Sequence, residues 1–214
     1  MPTILSHPAV SIATAMIGGR QKVSWRLFGI ACVASILPDA DVIGYYLGIP
    51  YGHLLGHRGF SHSISFALLV ALLGVALAGR LHSGRLAAFM VLFVSTVSHG
   101  VLDALTSGGL GIAFLSPFSN ERYFFPWRPI KVSHMSLEPF LGRSGWRVMP
   151  SEFAWVWLPS LLLGSCGLLC RRIFGWLTIG YAEQTRRRSC LSAFVSSSFV
   201  CLSSFVRRKQ RGQA

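Results

Sequence analysis

HRGFSHSISFALLVALLGVALAG, residues 57–79, sets two histidines and an arginine against an uncharged apolar run that starts at Ile64. At 1.5 Å per residue such a run extends about 25 Å, close to the roughly 30 Å of a bilayer's hydrocarbon core once flanking turns are added. A basic turn, Arg80 to Arg85, leads into a second uncharged run, LAAFMVLFVSTVSHGVL, residues 86–102. Two adjacent runs of this kind predict an all-α fold, a polytopic transmembrane helical bundle of about four to five spans.

Composition agrees. Of 214 residues 52% are hydrophobic and only 13% charged, too little polar surface for an ordinary soluble domain. The formal net charge of +13 comes from 20 basic and 7 acidic residues, and most basic residues flank apolar runs, which favours lipid headgroups over nucleic acid. The five cysteines show no CxxC spacing and mostly sit in apolar segments, where they read as small buried side chains.

The apolar N-terminus lacks the basic region of a secretory signal. It is read as a first, weakly hydrophobic helix from Pro8 to about Ile17, stopped by Gly18 and Gly19. A second helix is expected over Trp25 to Leu37, ended by Pro38. The proline-rich, aromatic stretch from Ser107 to Ser151 reads as a lid or interfacial loop, with Tyr123, Phe124, Phe125, Trp127 and Trp146 suited to the headgroup zone. A last span, FAWVWLPSLLLGSCGLLC, covers residues 153–170, with Pro159 expected to kink it. Residues 1–170 thus form the membrane domain, and residues 171–214 a basic, serine-rich tail with nine Lys and Arg against the single acid Glu183. Its run from Cys190 to Val206 reads as a weak span, an interfacial helix or a disordered anchor.

Polar residues collect at particular helix ends. His7 precedes the first helix, Asp39 and Asp41 of LPDAD follow the second, His57 and His62 precede the third, and His99 and Asp103 of SHGVLD end the fourth. In an up-and-down bundle these ends share one side, so four histidines and three aspartates can meet in one pocket. Each motif alone also has a structural reading. His99 and Asp103, four apart on one helix face, suit a shared ion or a capping pair. Asp39 and Asp41 suit a ligand with a supporting carboxylate, or caps of the next helix. Together they favour a divalent metal, zinc foremost, with manganese or iron as other choices for a mixed imidazole and carboxylate set, and seven candidates suit one ion or two. Two ions could share a bridging hydroxide, for which Asp41 is the candidate catalytic carboxylate. Arg58 then stabilises developing negative charge, or else anchors a headgroup. Arg122 and Arg128 are weaker candidates of the same kind.

LPDAD, GHRGFSHS, SHGVLD and SPFSNERYFFP, in this order within an apolar chain, resemble the YdjM-like family of inner-membrane proteins regarded as metal-dependent hydrolases. The resemblance covers roughly Met1 to Leu169 and leaves the tail outside. It implies a multi-pass protein of the bacterial inner membrane with a metal at the His and Asp positions above. Ser61 keeps a hydroxyl where the family pattern leads one to expect threonine. The expected function is hydrolysis of phosphoester bonds in lipid-like or amphiphilic substrates, with membrane lipid as the surrounding partner. The alternative is metal-dependent binding or transport without turnover. Nucleic acid is a poor partner, although the tail's charge alone permits phosphate contact, and the sequence leaves the oligomeric state open. The basic turns opposite the cluster, with Arg20, Lys22, Arg26, Arg80 and Arg85, and the helix exit at Arg171 and Arg172 place that side in the cytoplasm by the positive-inside tendency, while the loop with Arg122, Arg128, Lys131, Arg143 and Arg147 competes for the same assignment.

Overall fold

The computed structural model describes residues 2–132 and 145–174. Among them every regular element is helical, and the only β-pairings are two isolated bridges, Thr106 with Ile130 and Ile112 with Tyr123. Helix α1 runs Pro8–Lys22, α2 Trp25–Ile36, α3 Val42–Tyr46, α4 Ile64–Ala76, α5 Arg85–Ala104 and α6 Gly145–Glu152. Short 3₁₀ turns cover Leu37–Asp41 and Phe60–His62. Contacts divide the chain into two units, Met1–Leu168 and Leu169–Ala214; of the second, residues 169–174 are described and helical. The run from Cys190 to Val206, on which the tail's membrane insertion depends, lies outside the described residues.

Three helices are long and apolar enough to cross a membrane, Trp25–Tyr46, Arg85–Ala104 and Val148–Phe174, and the apolar Ile64–Ala76 is shorter. This is the expected helical membrane bundle, with a span count close to expectation. Several helix ends differ from the sequence reading. α1 continues past Gly18 to Lys22, with its kink at Gly19, where φ is 65° and only glycine is unstrained. Pro38 ends the α-helix as expected, α2 stopping at Ile36, but the helical span runs on to Tyr46. At the second position of a 3₁₀ turn its missing N–H costs nothing, so the chain tightens through Leu37–Asp41 and resumes as α3. The last span also starts earlier than Phe153. It widens into a π-turn at Phe153–Trp157 just before Pro159, which takes up the lost donor and ring clash that a proline brings.

Packing is that of a membrane protein: small residues face in and large ones face out. On α4 the buried positions are Ala67, Ala71 and Gly74, one helical stripe, while Leu68, Leu69, Leu72 and Leu73 stay exposed as a lipid face. The central helix is α5, which contacts α1, α2 and α4. Leu27, Ala31 and Ala34 of α2 and Ala88, Val91 and Leu92 of α5 form the core of the contact between these two helices. Ser11 joins three helices at once, lying 2.9 Å from Ser95 Oγ and 3.1 Å from the Ala31 carbonyl oxygen.

The last span meets α1 through glycine. A Cβ at Gly164 would lie 2.9 Å from Met16 Sδ and 3.2 Å from Ala13 Cα, whereas one at Gly79 would meet nothing within 4 Å. Gly164→Leu is therefore expected to force the helices apart and to lower thermal stability in detergent by about 1–3 kcal/mol, the usual penalty of overpacking. Gly79→Ala, measured alongside, should leave the melting temperature nearly unchanged.

Candidate metal centre

Each member of the cluster is placed by a local feature of the chain. His99 and Asp103 lie one turn apart on the inward face of α5, and both are completely buried. Gly100 lets a second chain segment approach that face, because a Cβ there would lie 2.7 Å from the carbonyl oxygen of His62. His62 ends the Phe60–His62 turn, and the next residue, Ser63, caps α4 by accepting a hydrogen bond from Phe66 N–H at 3.1 Å. Upstream, Gly56 and Gly59 permit a tight loop: Cβ atoms there would stand 2.3 Å from the Pro50 carbonyl oxygen and 2.2 Å from that of Leu54. Between them Arg58 holds a positive φ of 64°, an uncommon conformation for a non-glycine residue. His7 occupies the N-cap of α1, ahead of Pro8 at the first helical position.

Six of the seven predicted ligands fall into two groups that share His62, and the seventh, His7, stacks beside the first. His99 Nε2 lies 3.1 Å from His62 Nε2 and 3.3 Å from Asp39 Oδ1. His62 Nε2 lies 3.7 Å from both Asp39 Oδ1 and Asp103 Oδ2. The His7 ring stacks on His99 with centroids 3.8 Å apart, and its Nε2 is 4.0 Å from Asp39 Oδ2. Ligand atoms of Asp39, His62, His99 and Asp103 all lie within 4.8 Å of one another, as do those of Asp41, His57 and His62.

Hydrogen bonds on the outer ring nitrogens fix which way the lone pairs point. His99 Nδ1 donates to the Ser35 carbonyl at 2.7 Å, so the neutral ring presents an unprotonated Nε2 to the cluster. His62 Nδ1 faces Asp41 Oδ2 at 3.1 Å, and His57 Nδ1 faces Asp41 Oδ1 at 2.6 Å, so each of these rings also turns Nε2 away from Asp41. Lone pairs of His62 and His99 thus oppose each other at 3.1 Å beside carboxylate oxygens, an arrangement that needs a cation between them. With no cation but a proton, His62 is pushed up to about 9: burial opposes its charge, but the surrounding carboxylates of Asp39, Asp41 and Asp103 outweigh it.

Both oxygens of Asp39 and of Asp103, both ring nitrogens of His7 and Nε2 of His57 are buried without a hydrogen-bond partner. Buried polar atoms are seldom left this way, and here they are of the types that ligate divalent transition metals. Charge gives the same answer. Three carboxylates face one buried arginine, an excess of two negative charges that a divalent ion would balance. The donor set therefore fits a metal.

The two aspartates of LPDAD do different things. Asp41 Oδ1 accepts from His57, and Oδ2 accepts from Ser61 Oγ at 2.5 Å and from Arg58 N–H at 3.2 Å, with His62 at 3.1 Å. Asp39 keeps both oxygens free of hydrogen bonds. A 3₁₀ turn separates successive side chains by about 120°, so residues two apart point in different directions.

Arg58, expected to meet developing charge or to anchor a headgroup, is 1% exposed, which rules out the anchor. Its Nε lies 3.1 Å from Asp103 Oδ2, NH1 donates to the carbonyls of Gly108 and Leu110, and NH2 donates to Thr106 Oγ1. With these directions taken, it stands as a brace behind Asp103. Arg122 is likewise committed, reaching carbonyl oxygens of Tyr51, His53, His57, Arg58 and Gly111 at 3.1–3.3 Å. Arg128 lies over the Phe124 ring, 4.7 Å from its centre. The sequence reading passed over one buried acid near the cluster, Glu152, which is 3% exposed. Its signal was of the same kind as the others, a lone carboxylate at the entrance to an apolar span.

Comparison with known proteins bears on the membrane setting of the chain. The profile described as YdjM inner membrane protein matches residues 1–202, further than the expected limit near Leu169. The chain is 41% identical over 164 residues to the inner membrane protein YbcI of Escherichia coli (strain K12), covering 76% of this chain and 95% of that protein. No solved structure matches.

Proposed function

Because the chain belongs to the YdjM inner membrane protein family and gathers His and Asp side chains at one end of its helices, we propose that it is a membrane-embedded, metal-dependent hydrolase of phosphoester bonds in lipid-like or amphiphilic substrates. The observation that carries the reading is the set of buried ligand atoms on His7, Asp39 and Asp103 that have no hydrogen-bond partner, beside the facing Nε2 atoms of His62 and His99. These five residues would hold the ion, zinc by preference for mixed imidazole and carboxylate donors. When bound, it supplies Lewis-acid polarisation and a water of lowered pKa.

The other residues orient and transfer protons. Asp41, first considered a ligand and the catalytic carboxylate, is the acceptor that fixes the rings of His57 and His62. His57, first counted among the ligands, has a carboxylate on Nδ1 and a free Nε2, the arrangement of a general base held by its partner. Arg58 holds Asp103 in place. An amphiphilic substrate is favoured because the segments that follow Asp41 and Asp103 in the chain carry exposed side chains suited to the membrane interface, among them Tyr45, Tyr46, Phe118 and Trp127.

The test is turnover of a lipid phosphomonoester and of a soluble aryl phosphate by protein loaded with zinc, against chelator-treated protein. Metal-dependent release of phosphate, lost in His57→Ala, is expected. Zinc uptake into proteoliposomes with no hydrolysis of either ester would favour the transport alternative instead.

A further inference from the structure

His7 differs from the other histidines of the cluster. His57, His62 and His99 each have Nδ1 pinned by a carboxylate or a carbonyl, whereas neither nitrogen of His7 has a hydrogen-bond partner. Its ring stacks on His99 and comes no closer than 4.0 Å to Asp39 Oδ2, so its position depends on the backbone that carries it.

That backbone is tied to Glu152. The Thr3 N–H donates to Glu152 Oε1, and the hydroxyls of Thr3 and Ser6 donate to Oε2, each at 2.5 Å. Trp157 Nε1 donates to Ser6 Oγ at 3.2 Å. Within the turn Ser6 N–H bonds to the Thr3 carbonyl at 2.9 Å, and Ala9 N–H to that of Ser6 at 3.1 Å, which closes the chain on either side of His7. Glu152, Ser6 and His7 are all buried, and Ala9 packs with Leu102, Ile130 and Val156 around them. A buried carboxylate with three donors is a strong anchor, since removing it leaves those donors unsatisfied.

We infer that Glu152 is the positioning residue for His7: by clamping the Thr3–Ser6 turn it delivers an otherwise unpinned ligand to Asp39, and so makes the metal centre depend on the start of the last helix. This deepens the proposed function and rests on His7 being a ligand.

The experiment uses the full chain in detergent with zinc as the probe and reads two quantities. The first is zinc affinity of wild type, His7→Ala, Glu152→Ala, Glu152→Gln and the double variant His7→Ala, Glu152→Ala. Glu152→Ala should lower affinity about as much as His7→Ala, on the order of 10- to 100-fold. The double variant should be no worse than His7→Ala alone, and Glu152→Gln, whose amide oxygen still accepts from Thr3, should recover part of the loss. The second readout needs no metal: carbethoxylation of histidines by diethyl pyrocarbonate, mapped by mass spectrometry. His7 should be shielded in wild type and modified in Glu152→Ala, with His99 shielded in both. Wild-type zinc affinity or a shielded His7 in Glu152→Ala would overturn the inference, as would additive losses in the double variant. Should wild type bind no zinc, the proposed function falls while the modification pattern still decides the role of Glu152. If Glu152→Ala does not accumulate, Ser6→Ala removes one of the three bonds and gives the same readouts on a smaller scale.

Discussion

Asp103→Asn is expected to cost both the metal and several kcal/mol of stability. Asp103 is completely buried, with Arg58 Nε at 3.1 Å and His62 Nε2 at 3.7 Å. Asparagine keeps the shape and removes the charge that offsets a divalent ion, so affinity should fall by at least the roughly 10- to 100-fold known for losing a supporting group around a metal. It also strands Arg58, itself 1% exposed, as an uncompensated charge. Breaking one side of a buried pair typically costs about 3–5 kcal/mol. A mere capping role predicts the reverse, since asparagine caps nearly as well as aspartate. Metal stoichiometry and thermal unfolding, with and without chelator, separate the two. A further control is available: replacing both partners, Arg58→Met with Asp103→Leu, should restore much of the stability and none of the metal.

The second large effect distinguishes the two aspartates of LPDAD. Asp39→Asn should abolish tight metal binding, because both of its oxygens are free of hydrogen bonds and face His7, His62 and His99. Asp41→Asn should weaken binding by about 10- to 100-fold without abolishing it, the usual result of disturbing a carboxylate that orients ligating histidines. An asparagine carries one acceptor oxygen where Asp41 serves His57, His62, Ser61 and the Arg58 N–H, so the two rings can no longer both be held. Titration of each variant with zinc gives the comparison. Equal, complete loss in both would make Asp41 a ligand and leave the histidines without their common acceptor.

Much of this was legible because charged and imidazole groups stand out against apolar helices. His99 and Asp103 could be put on one face from their spacing alone, and the alternation of spans brought LPDAD and HRGFSH to the same end. Which way each group points was not legible. Asp39 and Asp41 have the same chemistry and the same neighbours in sequence, and only the 3₁₀ turn after Ile36 turns one to the cluster and the other to the backs of two histidines. Pro38 reads as a helix stop and α2 does stop at Ile36, yet at the start of a 3₁₀ turn the cost of proline disappears, so the span itself continues. Arg58 looks like a free cation in sequence; its role as a brace depends on the carbonyls of Gly108 and Leu110, some fifty residues away. Glu152 was missed because its partners, Thr3 and Ser6, lie at the other end of the chain.

The central claim, that these helix ends hold a divalent ion, is tested most directly by elemental analysis of the purified full chain, wild type beside His99→Ala, after zinc loading and gel filtration. His99 is the best single probe, because its Nδ1 is fixed on the Ser35 carbonyl and its Nε2 is aimed at both His62 and Asp39. The expected result is at least one equivalent of metal retained by wild type and little or none by His99→Ala at equal folded yield. A wild-type protein that carries no metal under several purification conditions, or a His99→Ala variant that holds it as tightly, would contradict the account.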